Sequence, residues 1–233
     1  ALPVTRGYGV PYFWGTTGIA YRTDLVPERI VSWDQLFQPI EILRGRILMP
    51  PDAGSLVGLA LKSLGYSLNS VNLQEIAQAE KLLIAQKPFV KSYSPVVVGP
   101  DSQLLEGSVW IAMMYSGDAL KLRQYNVDID YVVPVEGTEL RIDYLTVLQS
   151  SSQKKLAMAF INFLNEPEKA ARMALFTRYA TTNAAAEKLL PVEFLHDPDI
   201  YPSEAVLEKS EFHAELPPRV LRKLNSIFAR ILQ

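Results

Sequence analysis

Short apolar runs that stop at turn residues and give way to amphipathic stretches recur along this chain. That alternation restricts it to a sheet with helices laid against its faces. Arg46 to Met49 ends at Pro50-Pro51, Asp52-Ala-Gly-Ser55 makes the turn, and Leu56, Leu59, Ala60 and Leu64 then repeat at helical spacing. Val109 to Met114 is a second continuous apolar run; it ends in Tyr115-Ser-Gly-Asp118 and leads into a helix from Ala119 to Gln124. Further strands are expected at Asp130 to Pro134 and at Leu140 to Leu148, the latter running through Asp143. Ahead of them, Tyr8 to Arg22 mixes aromatic, β-branched and glycine residues about Pro11, the pattern of extended chain with a bend at Trp14-Gly15. Ser32 with Gln35 three residues on predicts a capped helix start, and Asn72 with Glu75 predicts another. The strands separated by helices argue for a largely parallel α/β sheet.

From Ser152 onward the pattern is helical, with Leu156, Ala159, Phe160, Phe163 and Leu164 on one stripe and Val220, Leu224, Ile227 and Ile231 on another. Both stripes are expected to pack into a core. With 233 residues, 48% of them hydrophobic, the chain has material for one large domain or two lobes. Its 23 basic and 25 acidic residues leave a net charge of −2, which gives no footprint for nucleic acid. The absence of cysteine and the presence of only two histidines, His196 and His213, starve any zinc cage or iron–sulfur cluster of ligands. No apolar run approaches the roughly 20 residues needed to cross a bilayer.

Enzyme signatures are missing. There is no Gly-x-Ser-x-Gly elbow, no phosphate loop ending in Gly-Lys-Ser/Thr, and no Gly-x-Gly-x-x-Gly opening a helix. What remains is a set of polar and aromatic residues at strand ends, where open α/β sheets bind ligands. Asp52 and Ser55 follow one strand, Tyr115 and Ser116 follow another, and Asp143 lies inside Ile142-Asp-Tyr-Leu145. A carboxylate within a strand is costly unless it is paired or faces a wet cleft. Each has a plainer reading: Asp52 as a helix N-cap, Ser55 as part of the same capped turn, Tyr115 as a core aromatic with a satisfied hydroxyl.

Several segments, in order and spacing, resemble the periplasmic spermidine/putrescine-binding proteins of ABC transporters. They are Val10-Pro-Tyr-Phe-Trp-Gly-Thr-Thr-Gly-Ile19, Ser32-Trp33 with Leu36, Leu61-Lys-Ser-Leu-Gly-Tyr66 followed by Asn69, Ile161-Asn-Phe-Leu164 with Pro167, and Tyr179-Ala-Thr-Thr-Asn183. The resemblance implies a type II periplasmic-binding-protein-like α/β fold: two lobes with mixed, mainly parallel sheets, closing over a solute by hinge motion. It implies that residues 1–14 cross from lobe one, 15–142 form lobe two, 143–187 are a remnant of lobe one whose N-terminal part is absent, and 188–233 are C-terminal helices returning to lobe two.

The resemblance further implies a noncatalytic, extracytoplasmic or periplasmic protein, lipid-anchored in some cases. It would bind a polyamine or related solute without a cofactor or metal and would deliver it to ABC permease subunits. The same fold serving as the ligand-sensing domain of a membrane signalling protein is the alternative. Asp52 and Asp143 then stand at carboxylate positions, Tyr115 where the family often has Trp, and Tyr179 at a retained aromatic. Ser55, Arg141 and His213 depart from the pattern: they replace an acid, an aromatic and a polar amide. Arg141 and Asp143 share one face of a strand, so they are expected to pair, which would admit a zwitterionic or anionic solute. If lobe one is incomplete, the strands at Tyr8 to Phe13 and Tyr144 to Leu148 expose apolar edges for a dimer or partner to cover.

Overall fold

A computed structural model describes residues 7–233; residues 1–6 of the segment expected to cross between lobes lie outside it. The strands are β1 (Val10–Arg22), β2 (Ile47–Met49), β3 (Val90–Tyr93), β4 (Ile111–Tyr115), β5 (Ile129–Val132), β6 (Glu139–Leu145), β7 (Ala180–Thr181) and β8 (Glu211–Phe212). The first helices are α1 (Trp33–Phe37), α2 (Ala53–Ser63), α3 (Leu73–Gln86), α4 (Gln103–Glu106) and α5 (Ser116–Arg123). Those that follow are α6 (Lys154–Leu164), α7 (Pro167–Thr177), α8 (Ala184–Glu187), α9 (Val192–Leu195), α10 (Glu204–Lys209) and α11 (Pro218–Leu232).

β1 organises the molecule. Its C-terminal half pairs with β4 and β5, from Thr17 opposite Tyr115 to Arg22 opposite Ile129. Its N-terminal half pairs with β6 and β7, from Val10 opposite Leu145 to Thr16 opposite Leu140. Partners change between Thr16 and Thr17, beside the expected bend at Trp14-Gly15, and one continuous strand serves both halves. Three pairs are parallel as expected, β2–β3, β2–β4 and β6–β8, and the sheet as a whole is mixed. Every pair made by β1 is antiparallel, because the crossing strand runs against the strands on either side of it.

β2 and β4 are apolar throughout because both faces are covered. Ile47, Met49, Ile111 and Met113 join α1, α2, α3 and α11 in one core, while Leu48, Ala112 and Met114 face Leu104, Ala119 and Leu122 in another. α1 starts on the expected reciprocal cap, Ser32 accepting from Asp34 N–H and Gln35 reaching back to the cap backbone. A smaller core gathers Phe13, Leu120, Ala170, Ala174, Ala180, Leu190, Phe194 and Ile200. The segment through Phe194 and Ile200 stays with this smaller core, and the chain rejoins the larger one through α11.

α6 departs from its sequence pattern. Leu156, Phe160 and Phe163, expected to pack, are 66, 58 and 46% exposed, and Ile161 is the buried residue of this helix. The stripe is apolar as read but stays largely exposed; α7 reaches it at Phe163, where Lys169 Nζ lies 5.3 Å from the ring centre.

Candidate functional site

The site forms where β1 changes partners. Asp52 follows Pro50-Pro51 at the end of β2 and caps α2, its Oδ1 accepting the Ser55 N–H at 2.7 Å. Partial desolvation pushes its carboxyl up, but the Ser55 N–H and hydroxyl, with Arg141 and His213, outweigh this and hold it below the ordinary aspartate value. Ser55 is buried, and its hydroxyl accepts a 2.7 Å hydrogen bond from Arg141 Nη2 on β6.

Arg141 does not pair with Asp143, as expected, but with Glu139, two residues the other way on the same face of β6. Nη2 is 2.6 Å from Glu139 Oε1, and Glu139 is fully buried. A buried carboxylate needs compensating charge, whereas Asp143 is exposed at the cleft and is already solvated, so the guanidinium goes to Glu139. Thr17 Oγ1 donates to Glu139 Oε2 at 3.3 Å, and His213 Nε2 lies 2.8 Å from Oε1. The Arg141 guanidinium also sits 5.2 Å from the centre of the Tyr115 ring.

His213 is carried by the chain leaving β8. Asn69 holds that segment from both sides, donating to Phe212 C=O and accepting from Ala214 N–H, each at 2.8 Å. Glu211 accepts from Lys62 at 2.8 Å and is bonded to Ser67, tying β8 to the end of α2.

On the other side stands Tyr179, just after α7. Its ring lies so close to α5 and β1 that a Cβ on Gly117 would come within 2.4 Å of it, and one on Gly15 within 2.9 Å. A side chain at either position would force the Tyr179 ring to move, most of all at Gly117. Burial pushes the Tyr179 phenol well above its ordinary value, with Asp118 adding to the shift. Asp118, in the first turn of α5, is within hydrogen-bonding reach of that hydroxyl; burial raises its carboxyl despite Lys121 nearby. Tyr115 is 39% exposed at the end of β4, its phenol raised by partial burial.

Two adjoining hollows result. One, of about 160 Å³, is lined by Phe13, Trp14, Gly15, Tyr115, Arg141, Asp143 and Tyr179. The second, of about 330 Å³, has Thr17, Asp52, Ser55, Asp118 and Tyr115 among its walls. Tyr115 belongs to both. Asp52, Ser55, Tyr115, Arg141, Asp143 and Tyr179 thus line this place, and His213 joins it through Glu139.

Glu139 and Asp118 were missed from the sequence. Glu139, Arg141 and Asp143 alternate with Leu140 and Ile142, a charged face at period two that begins one residue before the expected strand. The sequence pattern puts Asp118 at the end of a turn, whereas α5 already starts at Ser116. Among the described residues no cluster of three or more His, Cys, Asp or Glu could hold a metal, and no helix is long and apolar enough to cross a membrane.

The architecture is that of a solute-binding fold, an eight-stranded mixed sheet carried across both halves by β1, with a cleft at the crossing. A profile described as bacterial extracellular solute-binding protein matches residues 4–201, and the chain belongs to this family. It is 33% identical over 210 residues to the spermidine/putrescine-binding periplasmic protein of Escherichia coli, covering 90% of this chain and 59% of that protein. It is also 33% identical over 226 residues to a norspermidine sensor of Vibrio cholerae, covering 96% of this chain and 63% of that one. A solved structure of a putative spermidine/putrescine ABC transporter from Listeria monocytogenes superposes with a TM-score of 0.85 at 35% identity, over 97% of this chain and 69% of that one. The chain thus spans roughly three fifths of the length of these curated relatives.

Proposed function

We propose that this chain is the solute-capturing part of an extracytoplasmic binding protein that serves an ABC importer, holding a small amine of polyamine type, or a related solute, in the cleft. The observation that carries the proposal is the first hollow: the exposed Asp143 carboxylate beside Tyr115, Tyr179, Phe13 and Trp14. A carboxylate takes an ammonium group, and aromatic faces take both its methylene chain and its charge, at about 0.5–2 kcal/mol per cation–π contact. The role is binding without catalysis.

Under this proposal residues 15–142 act as one lobe, 143–187 together with the segment through Phe194 and Ile200 as part of the other, and α11 as the returning helix, with closure across β1. Permease subunits are the partners on delivery. A second copy covering what an incomplete lobe one leaves open belongs to the same proposal, but not along Val10 to Phe13 as expected, because that stretch pairs with β6 and, at Phe13, with β7. The sensing alternative uses the same cleft with a different partner, so ligand binding is tested first.

Titration calorimetry of the protein at its full natural length, against putrescine, spermidine and ω-amino acids, tests the reading. Heat from at least one of them, with affinity lowered tenfold or more by Asp143→Asn, is the expected result. Silence from the whole set overturns it.

A further inference from the structure

We propose that the cleft selects a zwitterion, an ω-amino acid with a short alkyl chain, over a diamine; this rests on the reading above that the cleft holds an amine. The argument starts from what each wall can offer. A doubly protonated diamine presents only N–H donors and two positive charges. Within the first hollow Asp143, an exposed carboxylate, answers one of them; the other carboxylates of the cleft, Asp52 and Asp118, line the adjoining hollow. With Asp143 in the first hollow stands Arg141, whose guanidinium has donors and no acceptor.

Arg141 cannot turn away. Its Nη2 lies 2.7 Å from Ser55 Oγ and 2.6 Å from Glu139 Oε1, and its Cζ lies 5.2 Å from the centre of the Tyr115 ring. Glu139 is itself held by Thr17 and His213. The Arg141 side chain is 36% exposed toward the hollow, so a second ammonium group placed beside it would meet charge repulsion. A carboxylate at that end supplies acceptors with the geometry a guanidinium prefers.

Spacing agrees. Arg141 and Asp143 are two residues apart on one face of β6, about 7 Å between their Cα atoms. They stand as opposite charges in one small, aromatic-walled hollow of about 160 Å³. A short alkyl chain with an ammonium at one end and a carboxylate at the other matches that pair; a diamine matches half of it.

The test is a matched comparison by titration calorimetry on the protein at its full natural length. 4-Aminobutanoate is set against putrescine and 5-aminopentanoate against 1,5-diaminopentane, each pair differing by a carboxylate in place of one aminomethyl group. The expected result is binding of at least one amino acid tenfold or more tighter than its diamine, with Arg141→Met removing that preference. Should that variant misfold by circular dichroism, the preference of the unaltered protein decides alone. A diamine bound as tightly as its amino acid, or more tightly, overturns this inference and leaves the amine-binding proposal standing. No heat from any of the four overturns both.

Discussion

α2 and α6 are both eleven-residue helices with an apolar stripe, and they end in opposite environments. α2 buries eight of its residues, Ser55 to Lys62, against α1, α3 and α11; α6 buries Ile161. A stripe therefore declares that a helix has a face to cover, and only the tertiary arrangement says whether something covers it. The difference reaches the site, because the end of α2 that holds Asp52 and Ser55 is fixed by the same packing. The largest test of the contrast is Leu59→Ala, which removes a fully buried side chain from α2. It is expected to destabilise the protein by about 3 kcal/mol, read as a lowered urea midpoint.

A second test works at the helix starts that meet the cleft. Asp52→Ala removes the cap of α2 and is expected to lower stability by about 1 kcal/mol at pH 7. The Asp52 carboxyl lies below its ordinary value in the folded protein, so its contribution is complete above that value and is lost as pH falls through the folded one. The gap between Asp52→Ala and the unaltered protein should narrow in acid. Asp118 has the opposite sign. Burial raises it, so the folded state holds its proton more tightly, and stability falls as pH rises above the ordinary aspartate value of 3.8. Asp118→Asn is expected to raise the melting temperature at pH 7, with the gain shrinking as pH falls toward 3.8. Parallel pH profiles for the two variants would contradict this division.

The elements that were legible in the sequence are those whose signals are local. The strand–turn–helix at Met49 to Ser63 follows from a proline stop, a capping aspartate and helical spacing, and Asp52 proves to be both cap and cleft wall. The same-face relation of Arg141 and Asp143 also follows from strand period. The partner of Arg141 does not, because burial decides between Glu139 and Asp143, and burial is set by Ser55, Thr17 and His213 arriving from distant parts of the chain. Likewise the tight space at Gly117 exists only because Tyr179, 62 positions on, folds back onto α5.

The smallest expected effect returns to α6. Phe160 is 58% exposed, so replacing it by serine removes few contacts within one chain. Surface substitutions of that kind change stability by less than about 0.5 kcal/mol. Phe160→Ser in this 233-residue chain should leave the urea midpoint of the monomer nearly unmoved. The same substitution should weaken any self-association, because Leu156, Phe160 and Phe163 together form an apolar stripe that water covers poorly. Sedimentation over a concentration series reads the second effect and denaturation at low concentration the first. A loss above 1 kcal/mol in the monomer would mean that α6 is packed as α2 is, and the contrast between the two helices would fall.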